Sequence, residues 1–333
     1  MSYLIGKRVN VGIAKETTRG VGEQPTYWLP WTEFTFDDKI GKVISEEALG
    51  NIEQSADQYT TEKWGEGEIV GEVRDKSFGL LMYALLGAKA VGANGTAYDH
   101  TFTLAQTNQH QSLCIHVDEP NGDYMFELAM INQMELTIET GKLMTYNCGF
   151  MSCPSQTTSI VAGINSVPAL STLAAENKFI ATNAHIRLAN DRNNFGPAPV
   201  IKVQSLKITF SKNLFRKHVI GSLVPDDIYN QAFAVEGTLE MPYNDKIYKS
   251  YDLDNTYKAM EVTIENRSNA IGGAGVYPKI KIILPRVGFF DWTPKRPVGT
   301  LYEQTIGFRA FRDVTNNENS VYQIVLTNGV ATY

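Results

Sequence analysis

The sequence predicts a mainly β protein, built as two tandem β-sandwich or barrel domains that each carry a short flanking α-helix. Three observations predict it. Apolar and polar residues alternate over much of the chain: Met134, Leu136 and Ile138 oppose Glu135, Thr137 and Glu139, as in an antiparallel strand with one wet face. Helical stretches are short and few, at residues 75–87 and 245–257. The series of elements in the first half also recurs in order in the second. The expected division is residues 1–157, a connector at 158–178, and residues 179–333.

The elements follow in order. VNVGIAKE (9–16) sets Val9, Val11 and Ile13 on one face of a half-buried strand. TTRGVGEQP (17–25) is a loop marked by Gly20, Gly22 and Pro25. TYWLPWTEFTF (26–36) is aromatic and β-prone. An acidic loop from Asp37 to about Gly67 then carries Glu46, Glu47, Glu53 and Asp57. It is far longer than a hairpin connection, and such loops are usually functional or ordered by a partner. EIVGEV is a strand, and DKSFGLLMYALLG (75–87) has the 3.6-residue spacing of a helix. KAVGANGTAYD (89–99) reads as a loop. HTFTLA (100–105), QSLCIHVD (111–118), the long DYMFELAMINQMELTIET (123–140), which must bend or bulge, and LMTYNCGFMSC (143–153) read as strands.

After the connector the series restarts. AHIRLA lies over VNVGIA, and SLKITF over TEFTF with Ile208 on Phe34 and Phe210 on Phe36. FAVEGTLEM lies over EIVGEVR with Gly237 on Gly71. DKIYKSYDLDNTY (245–257) lies over the helix, both opening Asp-Lys. AMEVTIE, YPKIKIILPRVGFFDW and LYEQTIGFRAFRD match the last three strands, with Gly307-Phe308 on Gly149-Phe150.

Composition narrows the function. Residues 1–160 hold 11 Lys and Arg against 21 Asp and Glu, a balance of −10; residues 161–333 hold 19 against 15, or +4. An acidic half joined to a mildly basic one does not suggest a phosphate-gripping nucleic-acid binder, but it suits unlike halves meeting in an assembly. No apolar run approaches the ~20 residues of a membrane span. The first residues lack the apolar region of a signal peptide. Three cysteines, an odd count, argue for synthesis in a reducing cytoplasm.

Chemistry is sparse. None of the five histidines sits in a metal-binding spacing, and His116 alternates onto the polar side of its strand pattern. Cys114 has no base or orienting group nearby in sequence. Gly87, Gly92 and Gly95 follow a helix, the wrong context for a phosphate loop. The expectation is a protein that is not an enzyme and holds no cofactor or metal, although carboxylate pairs from separate strands leave a glycosidase-type site open. Lys212, Arg216, Lys217 and His218 form a basic cluster in the second half's long loop, where the first half has its acidic loop. Opposite charge at like positions gives alternating neighbours a means of register. The aromatics Tyr27, Trp28, Trp31, Trp64, Phe289, Phe290 and Trp292 suit a core or subunit contacts. If exposed, they suit a carbohydrate- or receptor-binding β-sandwich of a virion or cell surface, the alternative function.

GEIVGEVRDKSFGLLMYALLG, HTFTLAQTNQHQSLCIHVDE and MELTIETGKLMTYNCGFMS, with ALSTLAAENKFIATNAHIRLA, FAVEGTLEMPY and LYEQTIGFRAFRD, give the chain a pattern that resembles the tail tube proteins of long-tailed bacteriophages. The resemblance implies sheets that join between subunits into an inner barrel, and rings that stack into a hollow tube through which DNA is ejected. With two domains per chain, three chains make a pseudo-sixfold ring. The resemblance places inter-ring contacts in residues 37–67 and 211–231, hence at Asp37, Asp38, Glu46, Glu47, Glu53, Asp57, Lys212, Arg216, Lys217 and His218. It makes the lumen acidic, with Glu135, Glu139, Glu261 and Glu265 as candidates to line it. Implied partners are further copies, a tape-measure protein, a tail terminator, distal tail and baseplate proteins, and phage DNA passing without specific binding. The implied location is the virion tail, after synthesis in the host bacterial cytoplasm.

Overall fold

The computed structural model describes residues 5–50, 52–55, 57–157, 175–273, 275–299 and 301–333. Most of the expected connector, residues 158–174, lies outside the described residues. The first half contributes β1 (Asn10–Lys15), β2 (Tyr27–Leu29), β3 (Trp31–Phe34), β4 (Asp37–Ser45), β5 (Asp57–Glu72), α1 (Ser77–Leu86), β6 (Gly87–Asn94), β7 (Ala97–Leu104), β8 (Leu113–Asp118), β9 (Tyr124–Glu139) and β10 (Thr145–Ser152). The second contributes β11 (Ala184–Ala189), β12 (Val200–Ile201), β13 (Ser205–Ser211), β14 (Leu214–Lys217), β15 (Asp227–Asn230), β16 (Ala234–Pro242), α2 (Ile247–Leu253), β17 (Lys258–Glu265), β18 (Lys279–Lys295), β19 (Glu303–Ala310) and β20 (Gln323–Asn328).

The protein is mainly β, as expected. All strands except the β14–β15 hairpin belong to one antiparallel network of 18 strands, which does not close into a barrel within the chain. Among the described residues, two strand-to-strand pairings join the halves. β9 pairs with β13 from Glu139↔Ser205 to Gln133↔Ser211, and β7 pairs with β20. One apolar core spans both halves, holding Leu136 and Ile138 together with Ile208 and Phe210.

Several expected loops are sheet. Within the expected loop at 37–67, β4 and β5 pair as long antiparallel strands from Asp37↔Glu66 to Ser45↔Asp57. β-branched residues explain it: Ile40, Val43 and Ile44 favour extended backbone although they stand exposed on an arm off the body. The expected loop at 89–99 is the β6–β7 hairpin, turning at Asn94–Ala97. It is absent from the second half, where α2 leads almost directly into β17, and so it had no counterpart to betray it. β20 lies beyond the last aligned segment.

The halves share register in detail. Phe150 pairs with Gly67 and Phe308 with Gly237. Gly237 therefore corresponds to Gly67 and not, as the alignment had it, to Gly71. α1 and α2 begin at the same distance beyond these two glycines. Phe34 and Phe36 accordingly take the places of Leu206 and Ile208. A slip of two or four residues preserves every side chain's face, so strand periodicity cannot detect it. β9 bulges where β8 leaves it, and β18 bulges at the equivalent point where β17 leaves it. The bend expected in the long strand is this bulge, with Leu128 at φ 57°.

α1 is buried around nearly its whole circumference, which marks a core helix. It ends at Gly87, whose φ of 85° suits glycine. Its last carbonyls find distant partners. Lys212 Nζ donates to Ala84 O at 2.7 Å, and His110 Nδ1 lies 3.0 Å from Leu85 O. Tyr333 Oη donates to Lys76 O at 2.6 Å at the other end. The Tyr333 ring sits so close to Gly79 that any Cβ there would lie 2.1 Å from it.

Candidate functional site

Two features stand out as a site: the open edges of the sheet, and the arm formed by β4 and β5. In the interior junction, β9 is flanked on one side by β10 and on the other by β13. The equivalent stretch of β18, Thr293–Lys295, pairs with β19 alone. The equivalent of β13 is β3 with the start of β4, and these pair only with β5. Among the described residues, each half thus leaves open the edge that the other would fill. Unpaired edges of this kind are templates for further strands.

One face of the sheet packs the core and the other is wet. Pairings place Glu68, Glu72, Glu135, Glu139, Glu236, Glu240 and Glu303 on the wet face, against Lys207, Lys295 and Arg309. The cations are engaged: Lys207 Nζ lies 2.7 Å from Glu135 Oε2, Arg309 pairs with Glu236, and Lys295 pairs with Glu240. The surface is acidic on balance.

Of the expected lumen residues, Glu135 and Glu139 lie on this face, Glu139 also meeting Lys142 at 2.8 Å. Glu261 does not present a free charge. It is 5% exposed and clasped by Arg187 at 3.4 Å and Lys281 at 2.6 Å, because strand β17 lies between β11 and β18, which carry these cations. Glu265, also on β17, pairs with Arg267 at 2.6 Å.

The acidic arm and the basic segment lie side by side in one chain. Arg216 stacks its guanidinium 3.9 Å from the Trp64 ring centroid, a cation–π contact. His218 Nε2 is 3.7 Å from Glu62, and Lys63 N donates to Leu223 O at 2.7 Å. Lys217 pairs with Asp226 at 2.7 Å. Lys212 is fully buried, and burial pushes its ammonium down to about 7, with Cys148 opposing the shift. It belongs to the interior of the junction and not to a basic surface loop. Asp38 accepts from Ser155 N at 2.8 Å, while Asp37 takes the Asp38 backbone N–H at 2.7 Å. Asp57 Oδ2 accepts from Tyr59 Oη at 3.4 Å. Glu46, Glu47 and Glu53, toward the arm tip, stand exposed.

The chemistry-bearing groups serve the fold. His116 is buried, contrary to the strand pattern, because the loop at 17–25 covers β8; its Nε2 lies 2.6 Å from Glu23 O. Burial raises the Cys114 thiol well above its ordinary range, the opposite of activation. Glu16, raised by burial and held by Gly20 N and Leu128 N, anchors the same loop. Trp28 is buried, Trp64 lies under Arg216, and Trp31 and Trp292 donate to Val9 O and Gln304 Oε1. No described helix is long and apolar enough to cross a membrane.

The edges and arm could not be located from sequence, although the repeat was the signal that led toward them. No curated protein matches the chain significantly. The family model described as phage tail tube protein matches residues 6–310, and the chain, a structural component of a phage virion tail, belongs to that family.

Proposed function

We propose that three copies of this chain form a pseudo-sixfold ring, that rings stack into the tail tube, and that the tube conducts DNA during ejection. The observation that carries this is the β9–β13 junction. Two units of like register, taken as 1–157 and 179–333 around the 158–178 connector, meet through it, while the matching edges at β3 and β18 stay open. Adding copies fills both of these edges, and a heterologous contact that closes makes a ring. The acidic wet face supports a lumen along which phosphate is repelled and DNA slides. The arm tip with Glu46, Glu47 and Glu53 is assigned to the contact between rings. Tape-measure, terminator and distal tail proteins would meet the tube along its lumen and at its ends.

Negative-stain microscopy of the purified chain is expected to show rings or tubes with a central hole, and the ring's symmetry counts the chains. A monomer that persists at high concentration overturns the reading. Glu46→Lys combined with Glu47→Lys is expected to cut tube length sharply while circular dichroism stays that of the parent. Unchanged polymerisation would remove the arm tip from the contact.

A further inference from the structure

We infer that the two open edges pair between copies in one defined register: Thr35 of one copy opposite Lys295 of the next, Phe36 opposite Pro294, and Asp37 opposite Thr293. The inference rests on the ring reading above and adds to it the partner residues. The interior junction is the template. On one side, Phe34 faces Ile69 as Leu206 faces Leu239, and Gly67 faces Phe150 as Gly237 faces Phe308. Phe34 therefore holds the place of Leu206, and Thr35 that of Lys207. On the other side, Thr137 faces Thr145 as Lys295 faces Glu303, and Ile131 faces Phe150 as Phe289 faces Phe308. Lys295 thus holds the place of Thr137. Lys207 lies opposite Thr137 inside the chain. Carried over, Thr35 lies opposite Lys295.

The chemistry of both edges agrees with this register. On the core side, Phe36 already packs edge-on against Phe126 at 4.6 Å, and it meets Pro294 where Ile208 meets Leu136 in the template. On the wet side, the interior junction is bridged along one diagonal by Lys207 and Glu135 at 2.7 Å. The same diagonal brings Glu33 to Lys295, a pair of opposite charge with the polarity of the two strands reversed. Pro294 offers no backbone donor, which disfavours indiscriminate strand addition at this edge. Asp252 Oδ2 already accepts from Trp292 N at 3.0 Å, so the pairing runs outward from Thr293.

The test is disulfide trapping in a background where Cys153, the one native thiol not buried, is changed to serine. Thr35→Cys with Lys295→Cys is expected to convert assembled chains into covalent multimers on oxidation, seen on non-reducing gels. Glu33→Cys or Asp37→Cys, each with Lys295→Cys, keeps the face but shifts the register by two residues and is expected to trap far less. Preferential trapping of a shifted pair, or no trapping by any pair in preparations that form rings, overturns the register and leaves ring assembly standing. Absence of both rings and cross-links overturns both.

Discussion

Gly237→Val is expected to destabilise the fold by more than about 4 kcal/mol, the range reserved for backbone and core disruption. A Cβ at this position would lie 2.2 Å from Lys207 O and 2.4 Å from Phe308 Cζ. The ring could swing, but the carbonyl belongs to β13, whose backbone is fixed between β16 and β9. Relief at Gly237 therefore means separating the strand that joins the two halves. Urea denaturation followed by tryptophan fluorescence should show the midpoint fall, or the protein should fail to accumulate in soluble form. Gly149→Val is the control. A Cβ there meets nothing nearer than 3.8 Å, and the expected cost is below about 1 kcal/mol. Equal losses at both sites would show that tightness at Gly237 is not the cause.

The second large effect is a dependence on pH set by Lys212. Its ammonium is fully buried and donates to Ala84 O, and burial lowers it to about 7 from an ordinary 10.5. In the unfolded chain the amine stays protonated to higher pH. Between about 7 and 10.5 the unfolded state therefore binds the extra proton, and stability rises with pH. The contribution is smallest below about 7, where folding must bury a charge. The slope is about 1.4 kcal/mol for each pH unit in that window. Lys212→Met is expected to flatten the stability profile from pH 7 to 9 and to cost stability at pH 9, where the hydrogen bond to Ala84 O is lost. A parent protein whose melting temperature is level across that window would contradict the assignment.

Much of the fold was legible because strand alternation and helix spacing are local. The Asp-Lys opening of both helical stretches and the place of the long bent strands came through. What failed depended on information from elsewhere in the chain. The β4–β5 arm reads as loop in sequence because its Ile and Val residues are exposed, so no buried face produces an alternation. Lys212 reads in sequence as part of a surface cluster, and only its contact with Ala84 O near the end of α1 shows it to be interior. His116 and Glu261 sit on faces that appear polar in sequence but are covered by segments distant along the chain. The slip of Gly71 for Gly67 is of another kind: GEGEIVGE offers several glycines in phase, and only the pairing with Phe150 selects among them. The acidic wet face was partly visible through Glu135 and Glu139, while Glu236, Glu240 and Glu303 needed the register to join them.

The partners of α1 bear on how the protein is made. Its end is held by Lys212 and its start by Tyr333, so the helix belongs to the first half but is completed by the second. At a synthesis rate of roughly 5–20 residues per second, the stretch from Gly79 to Tyr333 takes on the order of tens of seconds to emerge. Through that interval the nascent first half holds an apolar helix without its lid and a β7 edge without β20. Translation itself thus delays the completed packing of the first half until β20 and Tyr333 have emerged.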